Sequence, residues 1–274
     1  MGGRQIEECQ GMTPGLLFHE LTREEAGRLA PEAVIVVPVG ATEQHGPHLP
    51  VGTDTLAVEA FARSAASAVA GRLPIVVTPT LPFGCSPHHL PFGGTMSLST
   101  ETYFRVVFEL VESLIVGGWR RILIVNGHGG NHELIQLAAR DLALKHPASI
   151  AALSYWMVAW DALIDLEAHL GGRLPGHAGA FESSLVLALR PDLVREPRPH
   201  REGDFATNPR GFSPPFRLEI HDSWHLIDGF SDSPDRGSVE RGERYVRTVG
   251  DALARALVQF YVATGGTPRE AHRD

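Results

Sequence analysis

The chain has 274 residues, 43% of them hydrophobic and 20% charged, which suits a globular core and points away from disordered, collagen-like and coiled-coil proteins. Its formal net charge of -8 disfavours nucleic-acid and acidic-membrane surfaces, because both require a basic patch. We therefore expect a small-molecule partner, no nucleic acid, no membrane, and a single domain over residues 1–274.

The two cysteines and the N-terminus bear on the compartment. Cys9 and Cys85 form no CxxC pair, so neither a disulfide framework nor a thiolate zinc site is expected. Residues 1–8 contain no apolar signal segment, and no run approaches the ~18 apolar residues that span a bilayer. The sequence therefore predicts a cytoplasmic protein.

Runs rich in Val and Ile alternate with segments of helical periodicity, a pattern typical of a parallel sheet between helices. The predicted strands are Val34–Val39, Ile75–Thr78, Arg121–Val125 and Ser149–Ser154. The predicted helices are Thr55–Ala70, Thr100–Val116, Asn131–Lys145, Ala178–Leu189 and Ser238–Ala263. We predict an α/β fold, a single-domain three-layer α/β/α sandwich with a mostly parallel central sheet.

Two long segments, 81–94 and 195–234, interrupt this alternation with little periodicity. Long loops inside a compact domain are usually functional covers or subunit contacts. The first contributes His88, His89, Phe83 and Phe92. We expect these four side chains to cover the site and to set substrate choice.

Chemically active residues follow each predicted strand, and parallel sheets bind ligands at the carboxyl ends of their strands. Glu43 and His45 follow the first strand and His88 and His89 the second, while the segment 126–131 and the pair Tyr155 and Trp156 follow the third and fourth. Four loops are therefore expected to meet at one edge of the sheet.

Glu43, His45 and Asp54 lie in a loop rich in glycine and proline after the first strand. Glu43 and His45 are two residues apart, so on an extended backbone both side chains leave on the same side, and Asp54 returns to them across a turn. Two carboxylates and an imidazole suit Zn, Mn or Fe(II). The alternative is a turn with capping acids and a solvated histidine.

His128 lies in the glycine-rich segment 126–131, where small neighbours allow close backbone approach to a ligand. A phosphate-binding loop is the alternative, but such a loop ends in Lys followed by Ser or Thr. Asn131 and His132 stand there instead. We therefore predict that His128 is a metal ligand.

His177 and Glu182 open the helix predicted at 178–189, where an acidic residue would also suit the helix dipole. With Glu182, the chain has the roughly five protein ligands that a two-metal centre needs. They are Glu43, His45, Asp54, His128 and Glu182. Two divalent ions can hold a bridging hydroxide and polarise a carbonyl oxygen. Hydrolysis of a C–N bond is the natural use of such a centre.

Several blocks of this chain resemble the signatures of the creatininase family of amidohydrolases. They are VPVGATEQHGPHLP at 37–50, the pair Thr53-Asp54, NGHGGN at 126–131, HAGAFESS at 177–184 and DRGSVERG at 235–242. The resemblance covers nearly the whole chain. It implies a single α/β domain, a binuclear metal centre with Zn as the expected ion and Mn or Fe(II) as alternatives, and a homohexamer.

The resemblance also implies residue roles. Asp54 would bridge the metals, with Glu43 and His128 completing one site and His45 the other. Creatininase carries a glutamate in the block where this chain has Gly130, so Glu182 is the expected substitute ligand, with a catalytic role.

His177 matches the histidine that contacts the substrate and moves a proton to the leaving nitrogen. Trp156 matches one of two tryptophans that enclose creatinine, and the other has no counterpart before His177. We expect His89 and Tyr155 to line the substrate site beside Trp156.

These residues predict a metal-dependent amidohydrolase acting on a cyclic amide, a formamide or a small peptide-like amide. A formylamino-pyrimidine deformylase and a mycofactocin-precursor peptidase remain open as family alternatives. A non-catalytic metal- or nucleotide-binding module is the alternative of a different class. A two-metal phosphatase is weaker, because Arg173 and the segment 195–201 are the only nearby cations.

Overall fold

The computed structural model describes residues 16–205 and 220–269. Its strands are β1 (Val34–Val39), β2 (Ile75–Val77), β3 (Arg121–Asn126) and β4 (Ser149–Ser154). The long helices are α2 (Thr53–Val69), α3 (Thr100–Val116), α4 (His132–Lys145), α7 (Ala180–Leu189) and α8 (Val239–Ala263). Three short helices are α1 (Arg23–Leu29), α5 (Tyr155–Val158) and α6 (Trp160–Asp165).

The four strands form one parallel sheet in the order β2-β1-β3-β4. Every residue of the inner strand β1 and of the edge strand β2 is buried, as expected for parallel strands that are covered on both faces. In the register of the sheet, Val39 pairs with Asn126 and Asn126 pairs with Ser154. The ends of β1, β3 and β4 are therefore level, and their following loops leave the sheet at one edge.

Alternate residues of the strands pack into two separate hydrophobic clusters. Val34, Val36, Leu123 and Val125 belong to the cluster that includes α2, α7 and α8. Ile35, Val37, Ile122 and Ile124 belong to the other, which includes α3 and α4. This arrangement confirms the predicted three-layer α/β/α sandwich.

The helix starts differ from prediction in places that matter to the site. Helix α2 begins at Thr53 rather than Thr55, because Gly52 accepts the first helical hydrogen bond from Leu56 N. Asp54 therefore lies in the first turn of α2 and not in the loop before it. Helix α7 begins at Ala180 rather than Ala178, since Ala178 has the left-handed φ of 48°.

Helix α4 begins at His132, after a 3-10 turn over Gly129–Asn131. The Asn131 side chain does not cap the helix. Its Oδ1 accepts a hydrogen bond from Cys85 N at 3.0 Å, and its Nδ2 donates to Gly40 O at 3.0 Å. Asn131 thus joins the loops that follow β1 and β2.

The short helices were not predicted, although Thr22 and Glu25 form a capping box that opens α1. The loop 81–94 contains a 3-10 turn at Pro87–Phe92. Cys9 and residues 206–219 of the second long segment lie outside the described residues. Within the described ranges, no helix is long and apolar enough to cross a membrane.

Candidate metal centre

Four segments bring the predicted ligands to one edge of the sheet. Glu43 and His45 lie in the loop after β1, Asp54 in the first turn of α2, His128 after β3, and Glu182 in the first turn of α7. Gly40 permits this approach, because a Cβ there would come within 2.8 Å of the Thr55 backbone. The first turn of α2 therefore packs directly against the end of β1.

Asp54 lies between two imidazoles. Its Oδ2 is 3.1 Å from His128 Nδ1, and its Oδ1 is 3.3 Å from His45 Nε2. Glu43 Oε1 lies 3.2 Å from His128 Nδ1, and Glu182 Oε2 lies 3.5 Å from His45 Nε2. Among the described residues, four groups of three donor side chains could each hold a metal ion, and two of these groups share Asp54.

The cluster is buried, and three of its polar atoms lack a hydrogen-bond partner among the described residues. They are Glu43 Oε2, His45 Nε2 and Asp54 Oδ2. A buried carboxylate oxygen without a partner carries a large desolvation cost, which a cation can offset. His45 Nε2 contacts two carboxylates but without hydrogen-bond geometry.

Neighbouring backbone groups orient both imidazoles toward the carboxylates. His128 Nε2 lies 3.1 Å from Cys85 O and His45 Nδ1 lies 3.1 Å from Glu43 O. A carbonyl oxygen can only accept a hydrogen bond, so His128 Nε2 and His45 Nδ1 each carry a hydrogen. In the neutral form of each ring, the other nitrogen then has a lone pair, and that nitrogen lies on the side of the carboxylates. Histidines that bind a metal have the same arrangement, in which one ring nitrogen donates to a backbone carbonyl and the other offers its lone pair to the ion.

The charges of the cluster agree with this geometry. Burial disfavours the charged forms of His45 and His128, but the surrounding carboxylates outweigh burial and raise the pKa of each imidazole well above its ordinary value. Burial also raises the pKa of Glu182, although His45 opposes this effect. The cluster therefore favours a positive charge among its side chains, which either a proton or a metal ion can supply.

His177 lies beside the cluster with its ring 4.3 Å from that of His45 and 4.1 Å from that of His89. Its Nε2 donates to Gln44 O at 2.9 Å, and its Nδ1 lies 3.5 Å from Glu43 Oε1. Burial, reinforced by His45, lowers the pKa of His177 well below its ordinary value. His177 is thus a neutral imidazole with a lone pair on the cluster side.

His89 is also buried, and burial lowers its pKa to about 3. Its Nδ1 contacts the Gln44 amide nitrogen at 2.9 Å, and its Nε2 lies 3.6 Å from Glu43 Oε1. His89 and His177 both fall within groups that could hold a metal with Glu43. The described residues therefore offer more nitrogen donors around Glu43 than were predicted.

A cavity of about 130 Å³ opens beside the cluster. Its lining includes the predicted substrate residues His89, Tyr155 and Trp156, together with His177. Tyr155 is almost fully buried and packs on Phe61 at 4.7 Å, so most of its ring belongs to the core. The described lining includes no Lys or Arg, which agrees with the prediction against a phosphatase.

The expected covering role of two phenylalanines was wrong. The described residues that line the cavity include His88 and His89 from the loop 81–94 but neither Phe83 nor Phe92. Phe92 packs on His225 at 4.9 Å and lies behind His89, with ring centroids 6.5 Å apart, and Phe83 is 38% exposed. The 3-10 turn at Pro87–Phe92 places the two histidines inward, so covering by this loop is carried by imidazoles.

Sequence reasoning missed Trp224, whose ring lies 4.8 Å from His89 and 5.2 Å from His177. It comes from the aperiodic segment 220–234, where no pattern could place it. Gln44 was also missed, although it stands inside the motif with Glu43 and His45. Its amide nitrogen contacts His89, His177 and Gly229 O.

Gly130 stands where creatininase carries a glutamate, according to the resemblance described above. A Cβ at Gly130 would overlap the Cys85 carbonyl oxygen and lie 2.7 Å from His128 Nε2. No side chain can therefore stand there without displacing the loop that orients His128. Glu182 lies on the opposite side of the centre, beside His45.

A family model for creatininase, described as creatinine amidohydrolase, matches residues 19–257. Creatinine amidohydrolase of Pseudomonas putida is 30% identical over 272 residues, which cover 92% of this chain and 100% of that protein. Mycofactocin precursor peptide peptidase of Mycobacterium ulcerans is 34% identical over 166 residues, 58% of this chain and 60% of the peptidase. The match thus spans less than two thirds of the peptidase.

The 3-dehydro-scyllo-inosose hydrolase of Thermotoga maritima is 30% identical over 205 residues, 73% of this chain and 63% of that protein. A crystal structure of creatinine amidohydrolase aligns with a TM-score of 0.74 and 30% identity, covering 90% of this chain and 98% of that one. Similar structures include a creatininase described with Mn and a mutant creatininase of Zn-Zn type, each with a TM-score of 0.74 and 28% identity.

Proposed function

The chain belongs to the creatininase family, and on this basis we propose that it is a metal-dependent amidohydrolase that cleaves the C–N bond of a cyclic amide, a formamide or another small amide. The observation that carries the proposal is the pair of buried donor groups that share Asp54 beside a cavity. Separate oxygens of Asp54 face His128 and His45, so this carboxylate could serve both donor groups.

In this proposal Glu43, Asp54 and His128 hold one divalent ion, and His45, Asp54 and Glu182 hold the other. Imidazole and carboxylate donors suit Zn, Mn and Fe(II), and Zn is the proposed resident ion. When bound, such ions polarise a carbonyl oxygen and acidify a water molecule. The unpartnered atoms Glu43 Oε2 and Asp54 Oδ2 fit this assignment.

His177 is proposed to carry the proton. Amide hydrolysis takes a proton from the attacking water and delivers one to the leaving nitrogen. His177 lines the cavity, is neutral, and keeps Nδ1 available because its Nε2 donates to Gln44 O. Its Nδ1 can therefore accept a proton and release it, which is the role of a general base and then a general acid.

A peptidase is the second candidate, and the relatives support it. The mycofactocin precursor peptide peptidase of Mycolicibacterium smegmatis is 38% identical over 165 residues, 59% of this chain and 60% of that protein. A peptide substrate would use the same C–N chemistry at the same centre. It would extend further from the cluster than creatinine, so activity on short peptides against cyclic amides distinguishes the two.

Metal content tests the two-ion assignment. We expect close to two ions per chain, by plasma mass spectrometry, in protein purified without chelator. Glu182→Gln should retain about one ion, because the amide is a poor donor, whereas Glu240→Gln in the first turn of α8 should retain two. A parent protein with one ion or none would contradict the binuclear proposal.

His177→Ala separates an enzyme from a binding module that keeps this fold. If His177 carries the proton, turnover of the best amide in a screen of creatinine, formamides and short peptides should fall by a factor of about 10² to 10⁴ with metal content unchanged. Added imidazole should restore part of the activity. Unchanged turnover would refute the role given to His177.

We also propose the homohexamer that the family resemblance implies and the cytoplasmic location that the sequence predicts. Light scattering of the purified protein tests the first, and fractionation of the source cells tests the second. A monomer in light scattering at micromolar concentration would reject the hexamer.

A further inference from the structure

The side-chain amide of Gln44 lies between two backbone groups that fix its orientation. Its Oε1 accepts a hydrogen bond from Gly46 N at 2.9 Å, and its Nε2 donates one to Gly229 O at 2.8 Å. A backbone N–H can only donate and a carbonyl can only accept, so turning the amide round would lose both bonds. A Cβ at Gly229 would lie 2.9 Å from Gln44 Nε2, so the two segments are closely packed.

The second hydrogen of Gln44 Nε2 is donated to His89. Two imidazole nitrogens lie within reach, His89 Nδ1 at 2.9 Å and His177 Nε2 at 3.1 Å. His177 Nε2 already bears a hydrogen, because it donates to Gln44 O at 2.9 Å, and it has no lone pair with which to accept another. The acceptor is therefore His89 Nδ1. A ring nitrogen that accepts carries no hydrogen, so His89 is a neutral imidazole whose hydrogen lies on Nε2.

The Nε2–H of His89 lies beside the metal centre. It is 3.6 Å from Glu43 Oε1, which is longer than a hydrogen bond, and His89 lines the cavity beside the cluster. Two other imidazole nitrogens approach the same oxygen, His128 Nδ1 at 3.2 Å and His177 Nδ1 at 3.5 Å. In the neutral rings these two nitrogens have lone pairs, because the opposite nitrogens donate to carbonyls. Of these three nitrogens, His89 Nε2 is the one that bears a hydrogen.

We propose that Gln44 is a positioning residue that keeps His89 in this tautomer, and that His89 donates a hydrogen bond from Nε2 to the carbonyl oxygen of the substrate amide. The proposal rests on the proposed function, because it places that amide in the cavity next to Glu43. Negative charge develops on the carbonyl oxygen when water attacks the amide, and a donor that is held in place before the reaction stabilises this charge. His89 keeps its proton, whereas His177 transfers one. Because Nε2 has no lone pair in this tautomer, His89 is not a metal ligand.

Neutron diffraction from deuterium-exchanged crystals of the Zn-loaded protein tests the tautomer directly, because it locates deuterium on either ring nitrogen. We expect deuterium on His89 Nε2 and none on His89 Nδ1. In Gln44→Glu the new carboxylate can only accept, so deuterium should appear on Nδ1. Deuterium on Nδ1 of the parent protein would overturn the proposal without any variant.

Turnover tests the catalytic role of His89. The substrate is the amide that the parent protein hydrolyses fastest among creatinine, formamides and short peptides. His89→Ala should lower kcat by about 10² to 10³, with KM changed by less than about threefold, as for the loss of one donor to a developing charge. Its metal content should be unchanged. His89→Gln should recover about tenfold of the lost kcat, because its side-chain amide can donate from a similar position.

A matched pair of variants tests the positioning role of Gln44. Gln44→Glu should lower kcat by about tenfold or more, because the neutral ring then loses the hydrogen on Nε2. Gln136→Glu on α4 makes the same change beside another imidazole, since Gln136 Nε2 contacts His132 Nε2 at 3.1 Å, and it should leave kcat unchanged. Circular dichroism and metal content check that both variants are folded and loaded.

The outcomes distinguish this proposal from the proposed function. A parent protein that hydrolyses none of the screened amides refutes the proposed function, and the catalytic role of His89 with it. Loss of metal in His89→Ala would identify His89 as a ligand, which overturns its role as a donor and leaves the proposed function intact. A kcat equal to that of the parent in His89→Ala overturns the catalytic role of His89, and the same result in Gln44→Glu overturns the positioning role of Gln44.

Discussion

Replacing Gly130 by alanine should disturb the centre although it adds a single methyl group. The new Cβ would overlap Cys85 O and lie 2.7 Å from His128 Nε2, closer than real Cβ atoms approach other heavy atoms. The loop at Cys85 must then move. Two hydrogen bonds of that loop are then at risk. Cys85 O accepts one from His128 Nε2 at 3.1 Å, and Cys85 N donates the other to Asn131 Oδ1 at 3.0 Å.

The magnitude follows from the contacts at risk. Two buried hydrogen bonds are displaced, each with a cost of about 1–2 kcal/mol when a buried partner is left unsatisfied, so we expect Gly130→Ala to lower the free energy of unfolding by about 2–4 kcal/mol. Because His128 loses the group that orients it, metal affinity should also fall about 10- to 100-fold. Gly130→Glu should fail for the same reason to supply a new ligand.

Urea unfolding of the metal-free protein measures the first effect, and competition with a chromogenic chelator measures the second. Gly129→Ala is the matched control, because a Cβ there meets no atom within 4 Å. It should change unfolding by less than about 0.5 kcal/mol. If Gly130→Ala unfolded at the same urea concentration as Gly129→Ala and bound metal equally well, the reasoning from close packing would be refuted.

Three further predictions concern the surroundings of the centre. The buried Asp232 carboxylate accepts from Ala180 N at 2.7 Å at the start of α7, so Asp232→Asn should lower the free energy of unfolding by about 2–4 kcal/mol in urea; a loss below about 1 kcal/mol would mean that the charge is dispensable. Burial lowers the pKa of His48 to about 4 in the folded protein, below the value of about 6.5 in the unfolded chain. The stability that comes from neutral His48 is therefore present above about pH 6.5 and lost as pH falls toward 4, and His48→Gln should flatten that part of the profile of the metal-free protein. Equal slopes in both proteins would assign the acid sensitivity to other groups. Ser238 accepts from Arg241 N at the start of α8, and Ser238→Ala should cost about 1 kcal/mol in thermal or urea unfolding. No change would show that water replaces the cap.

The fold was predictable because its signals are local and repeated. Val- and Ile-rich runs identify inner strands of a parallel sheet, and Ser99 and Ser238 mark the starts of α3 and α8 by the caps they form. Helix starts that depend on backbone conformation were harder to predict from the sequence. The left-handed Ala178 delays α7 by two residues, and no side-chain pattern announces that conformation.

The site was predictable where its residues follow strands, because parallel strands end at one edge. Glu43, His45 and His128 needed only that rule to be placed together. Glu182 needed the helix predicted at 178–189 and the ligand count of a two-metal centre, and the resemblance added its role as substitute for the glutamate absent at Gly130. Trp224 was not predictable, since it belongs to an aperiodic segment whose position depends on tertiary contacts such as the one between Gln44 and Gly229.

The segments that form the cluster are far apart along the chain, and this distance has a consequence for folding. Gln44 and His177, which touch at 2.9 Å, are separated by 133 residues. Contacts of such long range form slowly, because the loop between them must close first. His177 and Glu182 therefore join the other carboxylates and imidazoles only after α7 has docked on α2, and the appearance during refolding of metal binding that requires Glu182 would time a late step of assembly rather than an early one.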